Sequence, residues 1–258
     1  MTTGRTLVKW LRMYVDGYDL SGYGRSVGPL SWSFDDVDMT APMSDAAKGY
    51  LPSSIHISPG TYNGVLQSTT DSGVEISRIQ STGTSRDIMI PVGIRAAPAA
   101  GDPVFCCKST HNGFQVVEDG GAMTVNGIFG EWDVSDLVTY PVPWGLLQEP
   151  YTTDTITTTG AALTYPGGIA TAGGYMAYQI FAGGTGTWTI KITDCSSAGG
   201  SYADVEGLTV TVDASVPAAG IVQTTATTTA IDVYTKSVAT EDVAGTLIFA
   251  LALVRGIV

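Results

Sequence analysis

The segment Gly24-Arg25-Ser26-Val27-Gly28 has the G-x-S-x-G spacing that presents a serine nucleophile. That spacing works where a strand enters the turn and a helix leaves it, so that Oγ stands clear of the sheet. Here Pro29-Leu30-Ser31-Trp32-Ser33-Phe34 follows and alternates like a strand, so the segment reads as a Gly-rich turn between strands. His56 sits between Ile55 and Ile57, on the polar side of a strand, and His111 falls in the turn-like Ser109-Thr110-His111-Asn112-Gly113. Two histidines this far apart make no catalytic or zinc-binding pair by themselves. Asp35, Asp36 and Asp38 cluster, and Asp71, Glu118 and Asp119 lie near turns, but the alternating oxygens, sharp-turn Gly and closing Glu of a calcium loop are missing. Gly183-Gly184-Thr185-Gly186 lacks the Lys and following helix of a phosphate cradle and reads as a hairpin turn. Cys106 and Cys107 are neighbours, which geometry keeps from bridging, so with Cys195 they read as free thiols in strands, suited to a reducing cytoplasm. The expectation is no catalytic residue, no metal and no cofactor; the chain reads as a non-enzyme.

The composition points the same way. The 258 residues are 44% hydrophobic and only 14% charged, which favours a folded core over disorder. Twelve Lys and Arg face twenty-four Asp and Glu, a net charge of −12, so the surface repels phosphates and offers no grip on nucleic acid. The longest apolar run, Leu247–Val254, is far shorter than the roughly 20 residues of a spanning helix, so no membrane anchor is expected.

The elements that would carry these residues have a period of two. Ile88, Ile90, Val92 and Ile94 alternate with Met89, Pro91, Gly93 and Arg95; Trp188, Ile190 and Ile192 alternate with Thr and Lys; Leu208, Val210 and Val212 alternate with Thr. Each pattern puts one apolar face on a core. Tyr175–Phe181 and Leu247–Val254 are apolar on both faces, which predicts cover by a second sheet on one side and a neighbouring chain or helix on the other. Asp16-Gly17, Asn63-Gly64, Asn112-Gly113 and Asn126-Gly127 predict turns. One short helix is predicted at about 41–49, with Thr40 as N-cap, Pro42 in the first turn and Gly49 as stop. Pro141, Pro143, Pro150 and the Thr-rich run 152–159 predict a boundary: a β domain over 1–148, a linker or arm over 149–168, and a smaller β-sandwich over 169–258.

The order of these elements is familiar. Arg12–Gly22 gives a strand, a turn and a short element; Leu30–Phe34 a strand; Ala46-Ala47-Lys48-Gly49 the helix; and Pro59–Leu66 the return to sheet. With the strand-rich ending Leu247–Arg255, this order resembles the major tail tube proteins of long-tailed, siphovirus-like bacteriophages, some of which carry an immunoglobulin-like or jelly-roll-like extra domain. The resemblance implies a mainly β fold, a tail-tube-type β-sandwich or half-barrel with one flanking helix plus a second β-sandwich. It implies a virion structural protein, made in the host cytoplasm, whose hexameric rings stack into the tube that conducts the genome. Its partners would be copies of itself, tape measure and terminator proteins, and DNA only in passage. Asp71, Glu75 and Asp87 are the acidic residues expected to face the lumen.

Two other readings stay open at this point. One is a head decoration protein or jelly-roll capsid protein. The other is a carbohydrate-binding sandwich of a host-recognition device, which would present Trp188, Tyr175 and Tyr178 on one exposed face.

Overall fold

The computed structural model describes residues 10–38, 50–66, 83–94, 96–132, 142–226 and 228–256. The helix expected at about 41–49 lies outside them. The described chain is nearly all antiparallel β. In its first half lie β1 (Tyr14–Val15), β2 (Tyr18–Asp19), β3 (Gly24–Gly28), β4 (Ser31–Asp38), β5 (Tyr50–Ser58), β6 (Thr61–Val65), β7 (Ser85–Pro91), β8 (Pro103–Asp119) and β9 (Ala122–Phe129). In its second half lie β10 (Trp144–Asp154), β11 (Thr158–Thr159), β12 (Leu163–Thr164), β13 (Gly174–Ile180), β14 (Thr185–Cys195), β15 (Ala203–Asp213), β16 (Ala218–Gln223) and β17 (Tyr234–Arg255). One path of pairing, β15-β14-β17-β10-β8-β7-β1-β2, runs through both halves.

Two long strands make this continuity by changing partners along their length. The first part of β8 pairs with β7 and β10, and beyond a bulge between His111 and Gly113 it pairs with β9. The first part of β17 pairs with β14, β11 and β12, and its last part with β10 and β13. Strands that switch sheets in this way form the corners of a sandwich. Close backbone approach at the β17 bend requires glycine: a Cβ on Gly245 would stand 2.1 Å from the Thr185 carbonyl oxygen.

The alternation of β17 divides two cores between its faces. Ala250, Ala252 and Val254 enter one core with Met89, Phe105, Cys106 and Cys107; Leu247, Phe249, Leu251 and Leu253 enter the other with Trp188, Ile190 and Leu208. β13 does the same, sending Tyr175 and Ala177 to the first core and Met176 and Ile180 to the second. The two-sided apolar pattern is therefore covered on both sides within one chain. The cover expected from a neighbouring chain or helix is supplied by the protein's own first-half sheet.

Other expectations change for local reasons. Ile88–Pro91 is buried on both faces because β7 lies inside the sheet and β13 and β16 touch it from outside, while Ile94 at its far end is exposed. Asp16-Gly17 does form a turn, but Asn63-Gly64, Asn112-Gly113 and Asn126-Gly127 lie inside strands. Asn63 and Asn126 face each other across β6 and β9, and the Asn63 side-chain amide donates to Asn126 Oδ1 at 2.6 Å. The Gly183–Gly186 turn is no hairpin, since β13 and β14 do not pair with each other; both pair with β17. The 149–168 stretch is laid along β17 through the rest of β10, β11 and β12.

The halves are also pinned by a buried amide. Gln179, 1% exposed, accepts the Gly17 N–H at 2.7 Å and donates to the Asp87 carbonyl at 2.9 Å. Gly17 has φ +81, and a Cβ there would meet the Ile180 carbonyl oxygen at 2.3 Å.

Because β13 and β17 belong to both cores, the chain should unfold in one cooperative transition. Leu251→Ala, on the second core, and Ala252→Leu, on the first, should each shift that one transition, Leu251→Ala by about 2–5 kcal/mol. Calorimetry resolving two transitions, with each substitution moving only one, would contradict the shared-strand arrangement.

Candidate assembly surface

Among the described residues, the end of the β8–β9 hairpin groups several exposed apolar side chains. Val116 and Val117 are 45% and 43% exposed, and Met123 is 47% exposed. Consecutive strand residues point to opposite faces, so exposure of both valines means that both faces of the hairpin end stand clear of the body. Val117 pairs with Thr124 and Glu118 with Met123, and the Thr124 hydroxyl donates to the Val117 carbonyl at 3.0 Å. Val65, at the end of β6 and opposite Thr124, extends the apolar area. The tip turns through Gly120 and Gly121, where the Gly121 N–H donates to Glu118 Oε1 at 2.7 Å. Asp119 pairs with Arg25 of β3 at 3.2 Å, an exposed contact that contributes little to stability.

An exposed apolar hairpin is a hazard unless something binds it. The β15 edge is protected differently: Asp204, Glu206, Thr209, Thr211 and Asp213 are exposed along it, and Lys191 pairs with Asp204 at 2.8 Å. The hairpin end carries its charges, Glu118 and Asp119, only at the tip beyond Val116 and Val117.

Of the acidic residues expected to face a lumen, Asp71 and Glu75 lie outside the described residues. Asp87 lies on β7, half-buried, in a recess shared with Lys108, Trp132 and Gly220. Its Oδ1 is buried without a hydrogen-bond partner. Burial pushes its carboxyl up to about 6, with Lys108 opposing and Asp16 adding to the rise.

The residues singled out for chemistry are scattered. Ser26 lies within β3 and is followed by strand β4, so no strand–turn–helix surrounds it. His111 is not in a turn: it lies in β8, 1% exposed and stacked on Phe129 at 4.6 Å. Burial lowers its affinity for a proton, so it is held neutral. Trp188 and Tyr175 are 0% and 1% exposed, so they form core and no glycan-facing surface. Cys106, Cys107 and Cys195 are free and buried, as expected for thiols in strands.

Sequence reading missed one polar constellation. His56, on β5, is held between Asp35 of β4, at 2.9 Å from Nε2, and Glu131, at 2.8 Å from Nδ1. These contacts tie the β4–β5 hairpin to the chain after β9. Asp35 lies in the acidic cluster near β4, but nothing in sequence spacing signals Glu131. Hydrogen bonding to Asp35 first, and then to Glu131, raises the imidazole to about 9.

No protein-family model and no curated protein matches the chain. Among solved structures, it is similar to the crystal structure of SPP1 Dit (gp 19.1), described as a paradigm of the hub adsorption apparatus in phages infecting Gram-positive hosts. Identity is 14%, the TM-score is 0.34, and the match covers 93% of this chain and 98% of that one. A TM-score of this size carries no weight for fold or role, and the description belongs to that protein.

Two pH measurements follow. His56 is raised above its ordinary 6.5, so its contribution is full below that value and is lost as pH rises through about 9. NMR should show His56 titrating near 9, and Asp35→Asn should lower that midpoint; a midpoint near 6.5 in the unmodified protein would contradict the clamp. For Asp87 the raised value means that the charged form is penalised in the fold, so the penalty grows from about 3.8 through about 6 and is full above. Asp87→Asn should stabilise the protein by roughly 1–3 kcal/mol at pH 7 and by nothing below pH ~4. A destabilised variant at pH 7 would show that the carboxylate is needed there.

Proposed function

We propose that this chain is a structural protein of a bacteriophage tail, and that copies of it assemble into rings that stack as the tail tube, the conduit for genome ejection. The observation that carries this reading is the end of the β8–β9 hairpin, where Val116, Val117 and Met123 on its two faces are left exposed by the described residues. Such a hairpin needs a partner, and the element order in the sequence resembles proteins that obtain one from copies of themselves. The net charge of −12 suits a wall past which DNA moves without sticking, because like charges do not trap the duplex. Asp71, Glu75 and Asp87 are the candidates to supply that charge at the lumen. Tape measure and terminator proteins would be the further partners, and the virion tail the site of action.

Negative-stain microscopy of the purified protein should show rings or open-ended tubes of constant diameter. Val116→Asp with Met123→Asp should leave a folded monomer by circular dichroism and light scattering. Single rings that never stack would retain a ring-forming tail subunit and remove the tube. A wild-type monomer at high concentration, or closed shells, would overturn the reading.

A further inference from the structure

The hairpin has a counterpart elsewhere on the molecule. A cleft of about 500 Å³ opens among Trp32 of β4, Trp144 of β10, Tyr165, Ile169 and Arg255 at the end of β17. Its mouth is apolar and accessible: Trp144 is 37% exposed and Ile169 51%. Among the described residues no acidic side chain lines it. Arg255 rests over the Tyr165 ring at 4.9 Å and donates from Nη2 to the Gly168 carbonyl. Its Nη1 is buried without a hydrogen-bond partner, and the guanidinium feels Asp194 and Asp232 through space but, among the described residues, forms no ion pair with them. An apolar cleft whose cation touches no carboxylate directly, on a protein of net charge −12, is complementary to an apolar element that ends in acid.

The β8–β9 hairpin is such an element. Val116, Val117 and Met123 lie beside Glu118 and Asp119, and among the described residues Glu118 accepts a backbone N–H of its own turn. Within one chain the two features lie at opposite ends of β8. Pro103, the first residue of β8, lines the cleft, and Asp119, its last, is at the hairpin tip. A strand of that length puts them on the order of 50 Å apart along its path. A second copy can bring them together, and the resulting contact joins different surfaces on the two partners. Repeated head to tail, it closes into a ring when the rotation allows.

We propose that the β8–β9 hairpin of one copy docks in the Trp32–Trp144–Arg255 cleft of the next, with its valines against the aromatic walls and Glu118 paired with Arg255. This rests on the reading of the chain as a self-assembling subunit and names the contact that it uses. The occupant is a second copy; a peptide or glycan in the cleft would be a different outcome of the test.

The experiment is a charge exchange in the full chain, read by light scattering across concentration, with folding checked by circular dichroism. Glu118→Arg alone and Arg255→Glu alone should each raise the concentration needed for assembly tenfold or more, and the double exchange should restore it. Ile169→Asp, at the exposed mouth of the cleft, tests the same surface should Arg255→Glu fail to fold, and it should weaken assembly as strongly. If the wild type assembles and these variants assemble equally well, the docking contact is wrong while the self-assembly reading stands. If both single variants weaken assembly and the double variant is not restored, the Glu118–Arg255 pairing is wrong. If the wild type does not assemble at all, the underlying reading fails and this contact with it.

Discussion

The fold depends on two strands whose two faces are both buried. Along β17, even-numbered residues from Ala250 to Val254 enter one core and odd-numbered residues from Leu247 to Leu253 enter the other. The faces also differ in size: Ala177, Ala250 and Ala252 let the first-half sheet approach closely, while Met176, Phe249, Leu251 and Leu253 fill the space toward Trp188. A strand used on both sides cannot be removed from either core without exposing the other. The halves of the chain are therefore held together by shared apolar surface, and Gln179 and Gly17 fix their register through directed hydrogen bonds.

That constraint decides what is left for other molecules. The apolar runs that look in the sequence like surfaces awaiting a neighbour are already satisfied. Among the described residues, exposed apolar side chains remain at the end of the β8–β9 hairpin and at the mouth of the Trp144–Ile169 cleft. The distinction matters for function, because an assembly built on the β17 face would require the chain to open, whereas one built on the hairpin uses the folded subunit as it stands.

Much of this was legible in the sequence. Period-two alternation placed Trp188, Ile190, Ile192, Leu208 and Val212 on a core, and they are buried there. The two-sided character of Tyr175–Phe181 and Leu247–Val254 was equally plain. What covers the second face was not, because that depends on long-range pairing between β17, β10 and β8, which no local pattern encodes. The Asn-Gly dipeptides misled for a related reason: Asn63 and Asn126 satisfy each other across two strands, so their side chains serve the sheet rather than a turn. His111 looked turn-like because Asn112-Gly113 follows it, yet that pair marks the bulge where β8 changes partners. The His56 clamp needs Glu131, distant in sequence and brought near only by the return of the chain after β9. Of the acidic residues expected at a lumen, Asp87 shows its setting, a half-buried recess beside Lys108.

Hydrogen exchange measured on dilute and on assembled protein tests the central claim most directly, because it reads which backbone is satisfied by the chain alone. The account predicts that amides of Leu247–Val254 are strongly protected in the dilute monomer and change little on assembly. Amides of the β8–β9 hairpin end, around Val116–Met123, should exchange fast in the monomer and become protected as copies associate. Fast exchange along β17 in the monomer, with protection gained only on assembly, would contradict it and return the buried faces to the partner.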